Sequence, residues 1–419
     1  MERSWRKTLD YNSNSSISRT ERPVNSWEYI QLGEVLTFNP KVRIPKGQEV
    51  PFVPMDAVLP WSRYVNTSEA REFKGGSKFE CGDVLMARIT PCLQNGKTSV
   101  YRGNPGAPAA GSTEFIVIRG REGVSDSMFA YYLFRDEEIR EYAIRHMSGS
   151  SGRQRVQLDA LLQLRVRIPQ IGEQRRIAST LGALDDKIES NQRQISTLND
   201  LSQTIFRSWR RETKNVTQTT FGEWSDIFGG ATPKTAFDDF WGGGIAWVTP
   251  TDVTNLPSPF LFSTSRTLTE SGLNSCAAPL HPPGTIFMTS RATIGAFAVN
   301  QVEAATNQGF IAVRPKEPSH RWFLFEEMRS RVSEFIGNAN GSTFLEISRG
   351  RFKELPISVP SADDLENLDS RLSRFHSLAA AREQENERLA SLRDALLPEL
   401  LSGRIRTIEI EDIVEEALS

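Results

Sequence analysis

The residue types that bind phosphates and read base edges gather in a few short loops of this 419-residue chain. Gly229-Gly-Ala-Thr-Pro-Lys-Thr235 combines free backbone N–H groups with the hydroxyl of Thr232 and the ammonium of Lys234. Gln94-Asn95-Gly96-Lys97 and Thr306-Asn307-Gln308 carry amides able to bond adenine bidentately, and Arg88 or Arg291 has the fork that fits guanine. Arg88 with Thr90 and Arg291 with Thr293 follow runs that read as strands, so the two pairs are expected at matching places. Thr249 and Ser342 are further hydroxyl candidates. Arg153, Arg155, Arg165 and Arg167, and later Arg349, Arg351 and Lys353, form local basic clusters suited to phosphate contacts.

Signs of catalysis are missing. Gly96-Lys97-Thr98 ends like a phosphate-binding loop, but Pro91 stands where its first glycine belongs. No GxGxxG opens a strand–helix unit and no GxSxG is present; Asn39-Pro40-Lys41 fails at the third place of the tetrapeptide used by amino-methyltransferases. Cys81, Cys92 and Cys276 are far apart without a CxxC, so neither a disulfide framework nor a zinc site is indicated. The four histidines are scattered, and clusters such as Asp136-Glu137-Glu138 read as solvated helix faces. No catalytic or metal-ligating residue is expected.

The elements that must position these loops occur twice. Leu164, Ile168 and Pro169 return as Leu355, Val359 and Pro360, and Ile177, Leu181, Leu184, Ile188, Leu198, Leu201 and Ile205 fall on Leu368, Leu372, Phe375, Ala379, Leu389, Leu392 and Leu396. Upstream, Phe115-Ile-Val-Ile-Arg119 is echoed by Phe310-Ile-Ala-Val-Arg314. A period of about 190 residues is far beyond the ~20–50 of solenoids, so the unit is a domain with its helix, duplicated. Within each copy, short β-branched runs bounded by Gly, Pro and Asn predict strands at Phe52-Val53, Val84–Met86, Ser99–Tyr101 and Phe115–Ile118, then at Trp247-Val248, Thr285–Met288, Phe297–Val299 and Phe310–Val313. Helices are predicted over Met128–Arg145 and Arg321–Ile336. From Ile177 the apolar residues step by alternating four and three, the 3.5-residue period of a coiled-coil seam, with Asn191, Arg382 and Asn386 as polar interruptions that fix register. Ser361 with Asp364 predicts a capping box and Gly403 a helix stop.

The predicted fold is α+β: two strand-rich domains separated by two long helices forming an antiparallel coiled coil. The boundaries are a polar extension (1–26), a first domain (27–169), a central helix (170–212), a second domain (213–360), a C-terminal helix (361–404) and an acidic tail (405–419). A rod of some 40 residues measures about 60 Å at ~1.5 Å per residue. Formal charge is −2, with +3 over residues 27–169 and −2 over residues 223–360 by count, so bulk electrostatics announces no polyanion partner. No apolar run approaches the ~20 residues needed to cross a bilayer, and residues 1–25 lack an apolar h-region, so no membrane partner and a reducing cytoplasmic location are expected.

In combination several strings are specific. Arg88-Ile-Thr-Pro-Cys-Leu-Gln-Asn-Gly-Lys97, Gly229-Gly-Ala-Thr-Pro233, Trp247-Val-Thr-Pro250, Ser290-Arg-Ala-Thr-Ile-Gly295, Thr306-Asn-Gln-Gly-Phe310, Glu173-Gln174 with Leu184-Asp-Asp-Lys-Ile188 and Asn191, and Leu392-Arg-Asp-Ala-Leu-Leu-Pro-Glu-Leu-Leu-Ser-Gly-Arg-Ile405 together resemble the specificity subunit of type I restriction-modification systems. The resemblance runs from about Trp27 to Ile405; the second helix departs from it, with Asp363-Asp364 in place of the Glu-Gln pair. It implies two target-recognition domains, each reading half of a bipartite asymmetric site in double-stranded DNA, and a non-catalytic chain that binds no cofactor. It further implies two methyltransferase subunits, which flip adenine out for N6 methylation with S-adenosylmethionine, and restriction/translocase subunits using ATP and Mg. Glu173, Gln174, Lys187, Asn191, Asn386 and Arg393 are the helix residues it offers for partner contacts. The alternatives are a DNA-binding or scaffold adaptor of a defence complex without sequence reading, and a self-contained methyltransferase or nuclease.

Overall fold

The computed structural model describes residues 27–67, 69–150, 152–341 and 345–418. It divides into two units: the chain up to Leu184 together with Leu392 onward, and Asp185–Ser391. The division falls inside both long helices, Ile171–Glu212 and Ala362–Ser402.

In the first unit a five-stranded sheet runs in the order Leu36–Phe38, Phe115–Gly120, Val84–Ala87, Thr98–Tyr101, Tyr64–Val65. All its pairs are antiparallel except the last. Val84–Ala87 and Thr98–Tyr101 are buried along their whole length, which is why they read as continuous apolar or β-branched runs without alternation. A four-stranded sheet, Ala70–Glu72, Glu49–Val53, Ala109–Gly111, Ser77–Phe79, covers one side. The pairing of Glu28–Gln31 with Arg165–Ile168 then ties together the two ends of the domain.

The second unit repeats this plan with different residues. Its five strands are Ser225–Phe228, Phe310–Pro315, Ile286–Thr289, Phe297–Asn300 and Phe260–Leu261, again with only the last pair parallel. A three-stranded sheet, Arg266–Leu268, Trp241–Val248, Ala304–Thr306, replaces the four-stranded one, and Val216–Thr220 pairs with Pro356–Pro360 to close the domain.

Each predicted domain helix is two helices. The first breaks into Ser127–Arg135 and Glu137–Arg145 because the Asp136 carboxylate accepts hydrogen bonds from Glu138 N (3.1 Å) and Ile139 N (3.3 Å), capping a new start. The second breaks into Arg321–Ser330 and Val332–Gly337 at Arg331. The Arg331 guanidinium is spent on Glu327, Glu334 and the Pro356 carbonyl.

Within the second unit the long helices run antiparallel. Asn191 Nδ2 donates to Asn386 Oδ1 at 3.0 Å, Lys187 Nζ lies 3.2 Å from Glu385, and Arg382 Nε donates to Gln194 at 3.2 Å. The heptad seam holds only in part. Beyond Ile195 the buried residues are Ser202 and Phe206, while Leu201 is 43% exposed. An inserted step of four turns the face, so that Phe206 and Trp209 pack on Phe323 of the domain. His376, not Phe375, is the buried residue of the second helix at that level, stacked on Trp322. Of the predicted capping box the structure shows the N-cap half, Ser361 Oγ accepting from Asp364 N (3.3 Å) and donating to the Asp364 carboxylate (2.8 Å), and Gly403 takes φ 72° where the second helix stops. The predicted acidic tail contains an ordered helix, Glu411–Leu418, with Ile410 and Val414 buried.

Candidate nucleic-acid interface

In both domains a strap of backbone crosses the end of the middle strand of the five-stranded sheet. In the first, Arg88 N donates to Glu114 O (2.9 Å), Val156 N to Arg88 O (2.8 Å) and Thr90 N to Gln154 O (3.0 Å), with Ile89 bridged to Arg155. In the second the same bonds are Ser290 N to Gly309 O (2.8 Å), Ile347 N to Ser290 O (3.1 Å) and Ala292 N to Leu345 O (3.2 Å), with Arg291 bridged to Glu346. The register corrects the sequence pairing by one place. Arg88 corresponds to Ser290, Ile89 to Arg291 and Thr90 to Ala292, because the hydrogen bonds of the strap, and not the look of the loop, set the equivalence.

Each strand end carries one arginine–glutamate pair, built the opposite way round. Arg155 on the strap binds Glu114 side-on, with Nε 2.9 Å from Oε2 and Nη2 2.6 Å from Oε1. This hydrogen bond holds the Glu114 carboxyl below the usual carboxylate range. In the second domain the strap residue is the acid: Glu346 Oε1 lies 2.8 Å from Nε of Arg291, which is 44% exposed.

Around the first pair the structure gathers Arg88, Thr90 and Gln94. Arg88 Nη2 donates to Val156 O (3.2 Å), and Gln94 Nε2 donates to Thr90 Oγ1 (3.3 Å) while its Oε1 is buried without a partner among the described residues. Asn95 and Arg153 are exposed. Lys97 is committed elsewhere, its ammonium donating to the Met55 carbonyl at 3.0 Å. Beside this group lie Trp61, whose ring packs on Gly96, and Arg140, whose Nη1 donates to the Gln94 carbonyl (3.4 Å). Neither was singled out in the sequence.

The second pair opens into a cleft of about 470 Å³ lined by Gly229, Gly230, Arg291, Gln308, Glu346, Arg349 and Lys353, among others. Gly230 is required there, and Gly229 leaves room for Arg349. A Cβ on Gly230 would stand 2.1 Å from the carbonyl oxygens of Thr306 and Asn307, and one on Gly229 would press on the Arg349 guanidinium at 3.0 Å. Thr232 Oγ1 donates to Gln308 Oε1 at 2.6 Å across the rim, and Lys234 and Thr293 are exposed nearby in sequence. Other candidates have local duties. Thr249 caps the helix Pro250–Thr254 through Asp252, the Asn307 side-chain oxygen accepts from Gly309 N (2.8 Å), and Arg351 donates to Asn338 (2.8 Å). Ser342 lies outside the described residues. Among the described residues no group of three His, Cys, Asp or Glu side chains could hold a metal, and no helix is long and apolar enough to cross a membrane.

A family model described as the type I restriction modification DNA specificity domain matches residues 25–200 and again residues 214–390. The chain belongs to that family. Similar proteins include the type I restriction enzyme MjaIX specificity subunit of Methanocaldococcus jannaschii, 33% identical over 169 residues, 40% of this chain and 39% of that one. This match spans about two fifths of the relative's length. The HindI specificity subunit of Haemophilus influenzae is 21% identical over 418 residues, covering 81% of this chain and 90% of that one. Among solved structures, the type I restriction-modification system S subunit from M. genitalium shares the fold, with a TM-score of 0.54 at 15% identity over 91% of this chain and 97% of that one.

The helix residues singled out in the sequence have local partners of their own. Gln174 is fully buried and bonded within its own unit, accepting from Asp126 N (3.0 Å) and donating to Val124 O (3.0 Å) and Pro169 O (2.8 Å); it docks the helix start on the domain. Asn191 and Asn386 are buried against each other, and Lys187 is paired with Glu385. Arg393 lies against Asp394 and is 11% exposed. Glu173 pairs with Arg176 (Nε 2.9 Å) on the first turn of its helix.

Proposed function

We propose that this chain is the DNA-specificity subunit of a type I restriction-modification assembly, in which each domain reads one half of a bipartite, asymmetric site in double-stranded DNA. The observation that carries this reading is the duplicated strap. One scaffold occurs twice, and at corresponding places it offers different base-reading and phosphate-binding groups. Two such surfaces on one chain suit a site whose halves differ in sequence. The antiparallel helices serve as a spacer between half-sites about one DNA turn (~34 Å) apart and recruit two methyltransferase subunits. Those subunits carry S-adenosylmethionine and methylate adenine N6; restriction/translocase subunits with ATP and Mg complete the assembly in the cytoplasm. This chain contributes no catalytic group. Mapping N6-methyladenine in a host that carries the chain with its methyltransferase tests the proposal. One bipartite motif, absent when the chain is deleted, is the expected result, and methylation that persists without the chain or follows no motif would contradict it.

A further inference from the structure

The two arginine–glutamate pairs seat their guanidinium groups at different places, on the strap in the first domain and on the loop beneath it in the second. A guanidinium has one side edge, Nε with a terminal nitrogen, and one end edge made by the two terminal nitrogens. In the first domain Glu114 takes the side edge of Arg155 on the strap through Nε and Nη2, and the place of Arg291 is held by Ile89, which bridges the strap at Arg155 as Arg291 does at Glu346, so no guanidinium stands there. In the second, Glu346 Oε1 meets Arg291 at Nε, 2.8 Å away. No described residue pairs with Nη1 or Nη2 of Arg291, and the side chain is 44% exposed beside a cleft. The backbone is fixed on both sides by the Arg291–Glu346 bridge, so both charges are seated on one paired segment.

Charge balance says what this fork is for. Arg349 and Lys353 line the same cleft without a carboxylate in ion-pair reach among the described residues, and they supply uncompensated positive charge for phosphates. Arg291 is already neutralised by Glu346, so its gain from a phosphate is reduced while its two parallel donors are kept. Parallel donors matched to adjacent acceptors are what O6 and N7 of guanine require in the major groove. We infer that Arg291 reads a guanine in the half-site of the second domain, with Glu346 as its positioning residue, and that the first domain has no guanine fork at the corresponding place. The inference rests on the proposed function.

The test uses the assembled methyltransferase and duplexes carrying its mapped motif, the second half-site being the one that changes when residues 213–360 are exchanged for those of a relative. Each guanine there is replaced in turn by 7-deazaguanine, which lacks N7, and by inosine, which keeps O6 and N7. At one guanine, 7-deaza substitution should slow methylation about 10- to 100-fold and inosine should not. Arg291→Ala should abolish that sensitivity, and Arg291→Lys, which keeps the charge but not the parallel fork, should reduce it. Glu346→Ala should weaken it and Glu346→Gln, which retains an acceptor for Nε–H, should restore it, with unchanged thermal midpoints. A second half-site without guanine, or a 7-deaza effect that survives in Arg291→Ala, would overturn the inference while leaving two-domain reading intact. Methylation that follows no bipartite motif would overturn the proposed function and this inference with it.

Discussion

At the end of its middle strand the first domain lays Arg155 side-on against Glu114, whereas the second holds Arg291 by its Nε against Glu346. The strap residue is basic in one copy and acidic in the other. An ion pair is kept while the group facing outward changes, which is what a duplicated reader needs if its halves are to read different sequences. The same exchange occurs inside. Phe79 pairs with Ala109 in the first domain and His281 bridges Ala304 in the second, both side chains fully buried. Arg119 is met by Asp83 at 2.6 Å, but among the described residues Arg314 meets only the Leu280 carbonyl (3.4 Å), His281 Nδ1 (3.5 Å) and the Phe228 ring (4.8 Å). Backbone pairing is the shared property of the copies, and charge placement is the variable one.

The comparison breaks most directly at Gly230. Valine there would drive Cβ into two backbone carbonyls, which cannot move as a side-chain end can, at a cost at the upper end of about 1–3 kcal/mol. Gly230→Val should collapse the cleft and abolish reading of the second half-site in methylation assays. Conserved reading of both half-sites would detach the cleft from recognition.

His281→Phe installs in the second domain what the first already has. Burial foremost, with Arg314 adding to it, lowers the His281 pKa to about 4. The unfolded chain therefore takes up this proton near pH 6.5 while the folded one refuses it until about 4, so folding stability falls as pH drops through that window. The loss approaches about 3 kcal/mol at the bottom of the window. Denaturant unfolding at pH 6.5 and pH 4.5 should show a smaller acid loss in His281→Phe than in the parent chain; equal losses would mean that His281 is not buried neutral.

The helix pair should favour neither half-site. Asn191→Leu strands the buried Asn386 amide and should cost about 1–3 kcal/mol, whereas Asn191→Leu with Asn386→Leu should recover most of it. A thermal-shift double-mutant cycle measures this, and methylation mapping of the double variant should show both half-sites unaltered.

The smallest effect sharpens the contrast at the straps. Arg155→Ala removes a guanidinium whose remaining donors suit a phosphate, so binding should weaken alike on all sequences and the salt slope should fall by about one. A change of base preference in the first half-site instead would make Arg155 a reader.

Much of this was legible in the chain because duplication writes apolar patterns twice. The strands at Phe115 and Phe310 and both long helices follow from runs whose spacing matches a local period. The cleft loops were visible too, since Gly229-Gly230 and Thr306-Asn307 must be small or polar for two backbones to meet. The ion pairs were not legible: Glu114 lies 41 residues before Arg155, and among 52 acidic residues none announces its partner. Breaks at Asp136 and Arg331 were hidden by helical patterns that continue through them, and the turn of the seam after Ile195 depends on a domain packing against one side of the helix. Gln174 was recognisable as a distinctive residue, but only its three hydrogen bonds reveal that it faces inward.

The central claim is that one chain carries two independent readers. Residues 27–169 exchanged for the equivalent domain of a relative, followed by methylation mapping of a host carrying the hybrid with its methyltransferase, tests it most directly. One half-site should change to the donor's, with the other half-site and the gap retained. A motif in which both halves change, or neither, would contradict the account.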